Sequence, residues 1–241
     1  MTASRTEILA DPQALASRAA QWIIDLACHS TGRFSICLSG GSTPKRLYEL
    51  LATAPYRDAL PWDRIHWFWG DDRFVPWNDP NSNYGMAYAA LLGKAPVPPE
   101  NIHGIEPKTN PDGAAAAYEA TLKSYYGADR LDPARPLFDL MLMGLGPDGH
   151  TASLFPGKPA LDEKSRWVTG VPEPGLQPLV PRVTLTFPAL ESCRSAAFLV
   201  AGADKVPALT GVRAGDTKLP SARFSPVGEL IWFLDRAASG G

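Results

Sequence analysis

The chain has 241 residues, 45% of them hydrophobic and 20% charged, with a formal net charge of −2. That length and composition suit one large α/β domain with a well-buried core, spanning residues 1–241, and exclude a disordered or fibrous chain. The near-neutral balance gives no general pull toward nucleic acid or anionic lipid, so neither partner is expected and any attraction for an anionic substrate must be local.

In the first stretch, Met1 to Leu26, the apolar residues are interrupted by Arg18, Gln21 and Asp25, so it does not read as a signal peptide. No later stretch approaches the roughly 18 uncharged apolar residues of a membrane span, and a cytoplasmic location is expected. Asp11-Pro12 reads as an N-cap followed by a first-turn proline. Leu15, Ala19, Trp22, Ile23 and Leu26 then recur at helical spacing to about His29, and Gly32 stops the helix. Phe34 to Leu38 is a strand that meets Ser39-Gly-Gly-Ser-Thr-Pro44, and Pro44 opens a helix to about Ala52. Ile65 to Trp69 is a second strand, followed by a long polar loop from Gly70 to Asn83. Helical segments are predicted at 84–93 and 112–126, and strands at Phe138 to Met143, Arg182 to Phe187, Ala196 to Val200 and Glu229 to Leu234.

Strands alternating with helical segments predict a Rossmann-like, mainly parallel sheet covered on both faces. In such sheets ligands lie beyond the carboxyl ends of the strands. The segments 39–44, 70–83 and 144–153 all follow strands, so they are expected to form one site. The three cysteines, Cys28, Cys37 and Cys193, are far apart in apolar surroundings and show neither metal nor disulfide spacing; they read as buried thiols.

Ser39-Gly40-Gly41-Ser42-Thr43 runs from a strand into a helix, where glycines permit close approach and the helix start offers unpaired N–H groups to an anion. The bland alternative is an N-cap made by Ser42 or Thr43 without a ligand. Gly144-Leu-Gly-Pro-Asp-Gly149 matches a dinucleotide fingerprint by letter, but Pro147, Pro156 and Gly157 forbid the long helix that fingerprint needs, and no suitable acidic residue follows about 20 positions on. What the loop offers instead is Asp148 and His150. Imidazole exchanges protons near neutral pH, and a neighbouring carboxylate can fix its tautomer. The flanking glycine N–H groups are expected to be available to an oxyanion. The competing reading has His150 capping a short helix after the loop. His29, His66 and His103 read as structural. Arg73, Arg182 and Lys205 matter only if the fold carries them to the Ser39–Thr43 loop, since a phosphomonoester, with about −1.5 to −2 charges, calls for two or three such donors.

These segments, in this order, resemble the 6-phosphogluconolactonase family within the wider group of glucosamine-6-phosphate isomerases/deaminases and ribose-5-phosphate isomerases. The resemblance rests on Leu38 to Pro44, Gly70 to Pro76, Ser82-Asn83-Tyr84, Gly144 to Pro156, Pro181 to Thr186 and Gly202 to Lys205. It implies hydrolysis of 6-phospho-D-glucono-1,5-lactone, a small phosphorylated sugar lactone, with no cofactor and no metal, by a chain expected to be monomeric. It further implies that Gly40, Gly41, Ser42, Thr43, Arg182 and Lys205 hold the phosphate with Arg73 close by, that His150 activates water and that Asp148 is its partner. Asp71 falls where the related deaminases carry a catalytic acid. The family pattern reads Asp-Glu-Arg where this chain has Asp71-Asp72-Arg73, which puts any contact through Asp72 in question.

Two other functions fit the same fold. An amino-sugar-phosphate isomerase/deaminase would carry a glutamate five residues past the histidine, where this chain has Phe155. A non-catalytic sugar-phosphate-binding protein would not need the Asp148/His150 pair. A serine hydrolase is disfavoured because G-x-S-x-G is missing.

Overall fold

The computed structural model describes residues 4–241. Residues 1–3, where the stretch read as lacking a signal peptide begins, lie outside the described residues. Nine strands are described: β1 (Ser4–Leu9), β2 (Phe34–Leu38), β3 (Ile65–Trp69), β4 (Asp71–Arg73), β5 (Phe138–Met143), β6 (Val168–Val171), β7 (Arg182–Leu185), β8 (Cys193–Val200) and β9 (Glu229–Asp235). Six of them form one sheet in the order β1-β9-β8-β5-β2-β3, every neighbouring pair parallel. With its flanking helices it is the α/β, mainly parallel sheet that the alternation predicts. All five residues of β2 are buried, which is why that strand reads as an unbroken apolar run instead of alternating.

The helix Pro12–His29 starts as its sequence demands. The Asp11 carboxylate accepts from the N–H groups of Gln13 and Ala14, both at 2.8 Å, and Pro12 occupies the first turn. Its buried face includes Leu15, Ala19, Trp22 and Ile23. Among the described residues, no helix is long and apolar enough to cross a membrane.

The structure departs from the sequence reading in several places. The segment 70–83 is not all loop, because Asp71–Arg73 forms β4 in a second, antiparallel sheet of order β4-β7-β6. The period-two stretch from Arg182 supplies the central strand of that small sheet. Strands β1 and β6 lie where no strand is predicted. Cys28 is exposed, unlike buried Cys37 and Cys193, because the end of the Pro12–His29 helix turns that face outward.

What positions the site is the switch in strand order. From β2 the chain steps to β3 on one side, and β5 then enters on the other side of β2. The loops leaving β2 and β5 therefore diverge and open a crevice at the carboxyl edge of the sheet.

Candidate active site

A cavity of about 210 Å³ lies in that crevice. His150, Asp71, Arg73, Arg182 and Lys205 all line it, together with the glycine-rich segment at Gly40 and Gly41. These residues belong to or follow five different strands. Gly40 and Gly41 follow β2, Asp71 and Arg73 belong to β4, His150 follows β5, and Lys205 follows β8. Arg182 comes from β7 across the small sheet. Asp148 is not on the lining but holds the imidazole from one side. Ser42 and Thr43 do not line the cavity either; they sit in the first turn of the helix Ser42–Leu51.

After β5 the chain makes a tight turn with no helix between Gly144 and Lys158, so the reading of His150 as a helix cap fails. The N–H of Gly149 donates to the Gly146 carbonyl at 3.0 Å, and that of Gly146 to the His150 carbonyl at 2.9 Å. These two N–H groups are thereby used inside the turn, which corrects the expected oxyanion role for Gly146 and Gly149. Gly146 serves by having no side chain, since a Cβ there would lie 1.9 Å from His150 Nδ1.

The imidazole Nδ1 lies 2.5 Å from Asp148 Oδ1, and the same oxygen accepts from the His150 N–H at 3.1 Å. Burial acts to raise the Asp148 carboxyl, but the hydrogen bonds and charge of His150 outweigh it and hold the group below its usual value. With Nδ1 turned to a carboxylate, Nε2 is the nitrogen left for chemistry. The Phe155 ring packs against the imidazole at 4.7 Å between centroids. Ala152, on the cavity lining two residues on, has φ +47°, a conformation that costs a non-glycine residue about 1 kcal/mol or more.

Asp71 is buried. It accepts from Ser153 Oγ at 2.5 Å, and Asn83 Nδ2 reaches its carbonyl at 3.0 Å and its Oδ1 at 3.3 Å. The Asn83 amide in turn lies against the first glycine-rich loop, where a Cβ on Gly40 would come within 2.0 Å of Asn83 Oδ1. Polar contacts thus tie the segment after β3 to the turn after β5, and close packing sets the glycine-rich loop after β2 against them.

Asp72 points away from the cavity and anchors that arrangement. It accepts from the N–H groups of Arg73 (2.7 Å), Asn83 (2.6 Å) and Tyr84 (2.9 Å), and from Ser82 Oγ (3.2 Å). The question raised by the shorter side chain has its answer here, since all four donors reach it. Burial pushes its carboxyl up to about 6 against the pull of those hydrogen bonds. The folded chain therefore keeps a proton that an unfolded aspartate releases near pH 4, and this carboxyl makes stability fall by about 3 kcal/mol as pH rises from 4 to 6. Asp72→Asn is expected to cost about 2 kcal/mol in denaturant unfolding, because an amide nitrogen then faces N–H donors. The gap between wild type and variant should widen as pH falls from 6 to 4.

Three cations, Arg73, Arg182 and Lys205, share the cavity lining with the Asp71 carboxylate. Arg73 and Arg182 sit directly opposite each other in the β4–β7 ladder, an unfavourable pairing for like charges. Arg182 is buried and donates from Nε to the Val180 carbonyl (3.1 Å) and from Nη2 to that of Pro178 (2.8 Å). Burial lowers its pKa and Arg73 adds to the effect. Arg73 donates to the Asn81 carbonyl at 2.7 Å, while its Nε is buried without a partner among the described residues. Among the described residues Lys205 pairs only with the exposed carboxylate of Asp204, at 3.0 Å, a contact worth little. Gly41, at φ +107°, occupies the N-cap of the helix Ser42–Leu51 and supplies no side-chain cap, so the alternative in which Ser42 or Thr43 caps that helix does not hold. Its first N–H groups, with the positive end of the helix dipole, remain for an anion.

A model of the family described as glucosamine-6-phosphate isomerases/6-phosphogluconolactonase matches residues 10–232. The chain belongs to that family. It is 43% identical to the 6-phosphogluconolactonase of a Nostoc species over 240 residues, covering 96% of this chain and 95% of that protein. Identity to the Synechocystis 6-phosphogluconolactonase is also 43%, over 243 residues, covering 98% and 97% of the two chains. The crystal structure of 6-phosphogluconolactonase from Thermotoga maritima superposes with a TM-score of 0.83 at 31% identity, over 97% of this chain and all of that one.

For a member of this family, the motifs located the cavity but not its whole lining. Asn83 and Ser153 lie inside quoted motifs yet carried no assigned role. The signal for Asn83 was its place directly after Ser82, the cap of the next helix. Ser153 had no comparable signal, since its contact with Asp71 arises only when β4 and the turn after β5 come together.

Proposed function

We propose that the chain is a 6-phosphogluconolactonase, hydrolysing 6-phospho-D-glucono-1,5-lactone to 6-phosphogluconate in the oxidative branch of the pentose phosphate pathway, as a cytoplasmic monomer acting through residues 1–241 as one unit. The observation that carries the reading is the convergence of Arg73, Arg182 and Lys205 on the same cavity as the His150 imidazole. A phosphate dianion held by the three cations and the uncapped helix start leaves the ring of the sugar toward His150. His150 Nε2 takes a proton from water as its oxygen bonds to C1, and the bond from C1 to the ring oxygen breaks. The imidazolium, stabilised by Asp148, returns the proton to that ring oxygen. The turn uses the N–H groups of Gly146 and Gly149 internally, so neither is left for charge on the tetrahedral intermediate. Asp71, held by Ser153 and Asn83, keeps the floor of the cavity in place and faces the sugar.

The deaminase reading is disfavoured because Phe155 fills the place of the glutamate and packs on the imidazole. A side-by-side assay of 6-phosphogluconolactone, glucono-1,5-lactone and glucosamine-6-phosphate tests the proposal. Rapid turnover of the phosphorylated lactone alone is expected, whereas ammonia release from the amino sugar would overturn it. Lys205→Met should raise KM about tenfold with kcat little changed, as expected when a charged contact made equally in ground and transition states is lost.

A further inference from the structure

Within that reading, we infer that Ser221 is a positioning residue for His150. It lies in the short helix Pro220–Arg223, far along the chain from the catalytic turn and outside every motif that marks the site. Its side chain is buried, at 2% exposure, and it does not line the substrate cavity. Yet it grips the turn from behind. The Ser221 N–H donates to the Gly149 carbonyl at 3.0 Å, its Oγ reaches the same oxygen at 2.9 Å, and the His150 carbonyl lies 3.4 Å from that Oγ.

Two donors on one carbonyl fix the plane of the peptide joining Gly149 to His150, and hence the direction in which the imidazole leaves the backbone. Gly149 itself has φ +79°, and Leu219 packs so closely on it that a Cβ would lie 2.8 Å from Leu219 Cδ2. The segment 219–221 therefore acts as a rigid backing for the turn. From the other side, Thr151 Oγ1 ties the turn to the Gly144 carbonyl at 3.0 Å. Without the backing, the peptide can rotate and carry the ring away from Asp148 Oδ1 and from the reacting water. A displacement near 1 Å in a catalytic group is enough to cost about a hundredfold in rate.

The test compares Ser221→Ala with Ser192→Ala, a second buried serine, whose Oγ accepts from the Leu137 N–H at 2.9 Å at the opposite end of β5. Both variants lose a buried hydroxyl, and their melting temperatures and kinetics on 6-phosphogluconolactone are measured together. The expected result is a kcat at least tenfold lower for Ser221→Ala with KM within twofold of wild type, and an unchanged kcat for Ser192→Ala. A Ser221→Ala enzyme with kcat within twofold of wild type overturns the assignment, as does an equal fall in the two variants. If neither variant turns over the phosphorylated lactone and the wild type does not either, it is the proposed function that fails and not the role of Ser221.

Discussion

Replacing His150 by alanine should lower kcat by about 10²–10⁴, the usual contribution of a positioned general base, while KM stays within a few-fold of wild type. The split follows from geometry. The cations proposed to hold the dianion come from β4, β7 and the turn after β8, and none of them forms a hydrogen bond or ion pair with the imidazole among the described residues. Asp148→Asn should move the same parameter in the same direction, because the 2.5 Å contact that fixes the tautomer becomes a contact with an amide. Steady-state kinetics, corrected for uncatalysed hydrolysis of the lactone, give the answer. A His150→Ala enzyme with kcat near wild type would remove His150 from the reaction.

Gly146→Ala is expected to be almost as damaging without removing any reacting group. The added methyl would sit 1.9 Å from Nδ1 and 2.1 Å from Cε1 of His150, in space the ring occupies. Either the imidazole or the turn must move, so kcat should fall about a hundredfold, with a stability loss of about 1–3 kcal/mol from overpacking. Gly157→Ala, in the same loop, is the control. Its φ is +70° but nothing lies within 4 Å of the added carbon, so that variant should lose about 1 kcal/mol of stability and keep its kcat. Equal activity in the two variants would mean that the contact between Gly146 and the ring has no bearing on catalysis.

Burial on both faces decides which parts of this molecule can be read from sequence. Strands β2, β3 and β5 lie inside the large sheet or against its cover, and their apolar runs announce them. Strand β1 sits at the sheet edge with a largely exposed pattern, and Ser4 to Leu9 carries no periodicity that would mark it. Asp71–Arg73 is polar throughout and becomes a strand only because Arg182–Leu185 pairs with it, a tertiary decision with no local trace. At the site, Asp148 and His150 are legible because their contact spans two residues. Asn83 and Ser153 are not, because what they touch is distant in sequence. The oxyanion role read into the glycines failed for a third reason, since a tight turn uses its own N–H groups and spacing alone does not reveal which way they face.

The opposed arginines of the β4–β7 ladder come from opposite halves of the polypeptide. Closing so long a loop delays the contact relative to local ones during folding. A nascent chain that has completed β2 and β3 has the glycine-rich turn but neither Arg182 nor Lys205, so the three cations that line the cavity are all present only once synthesis has passed β8. The cationic lining of the cavity is thereby completed late, with β9, which pairs with both β8 and β1, still to be added to the sheet beneath it.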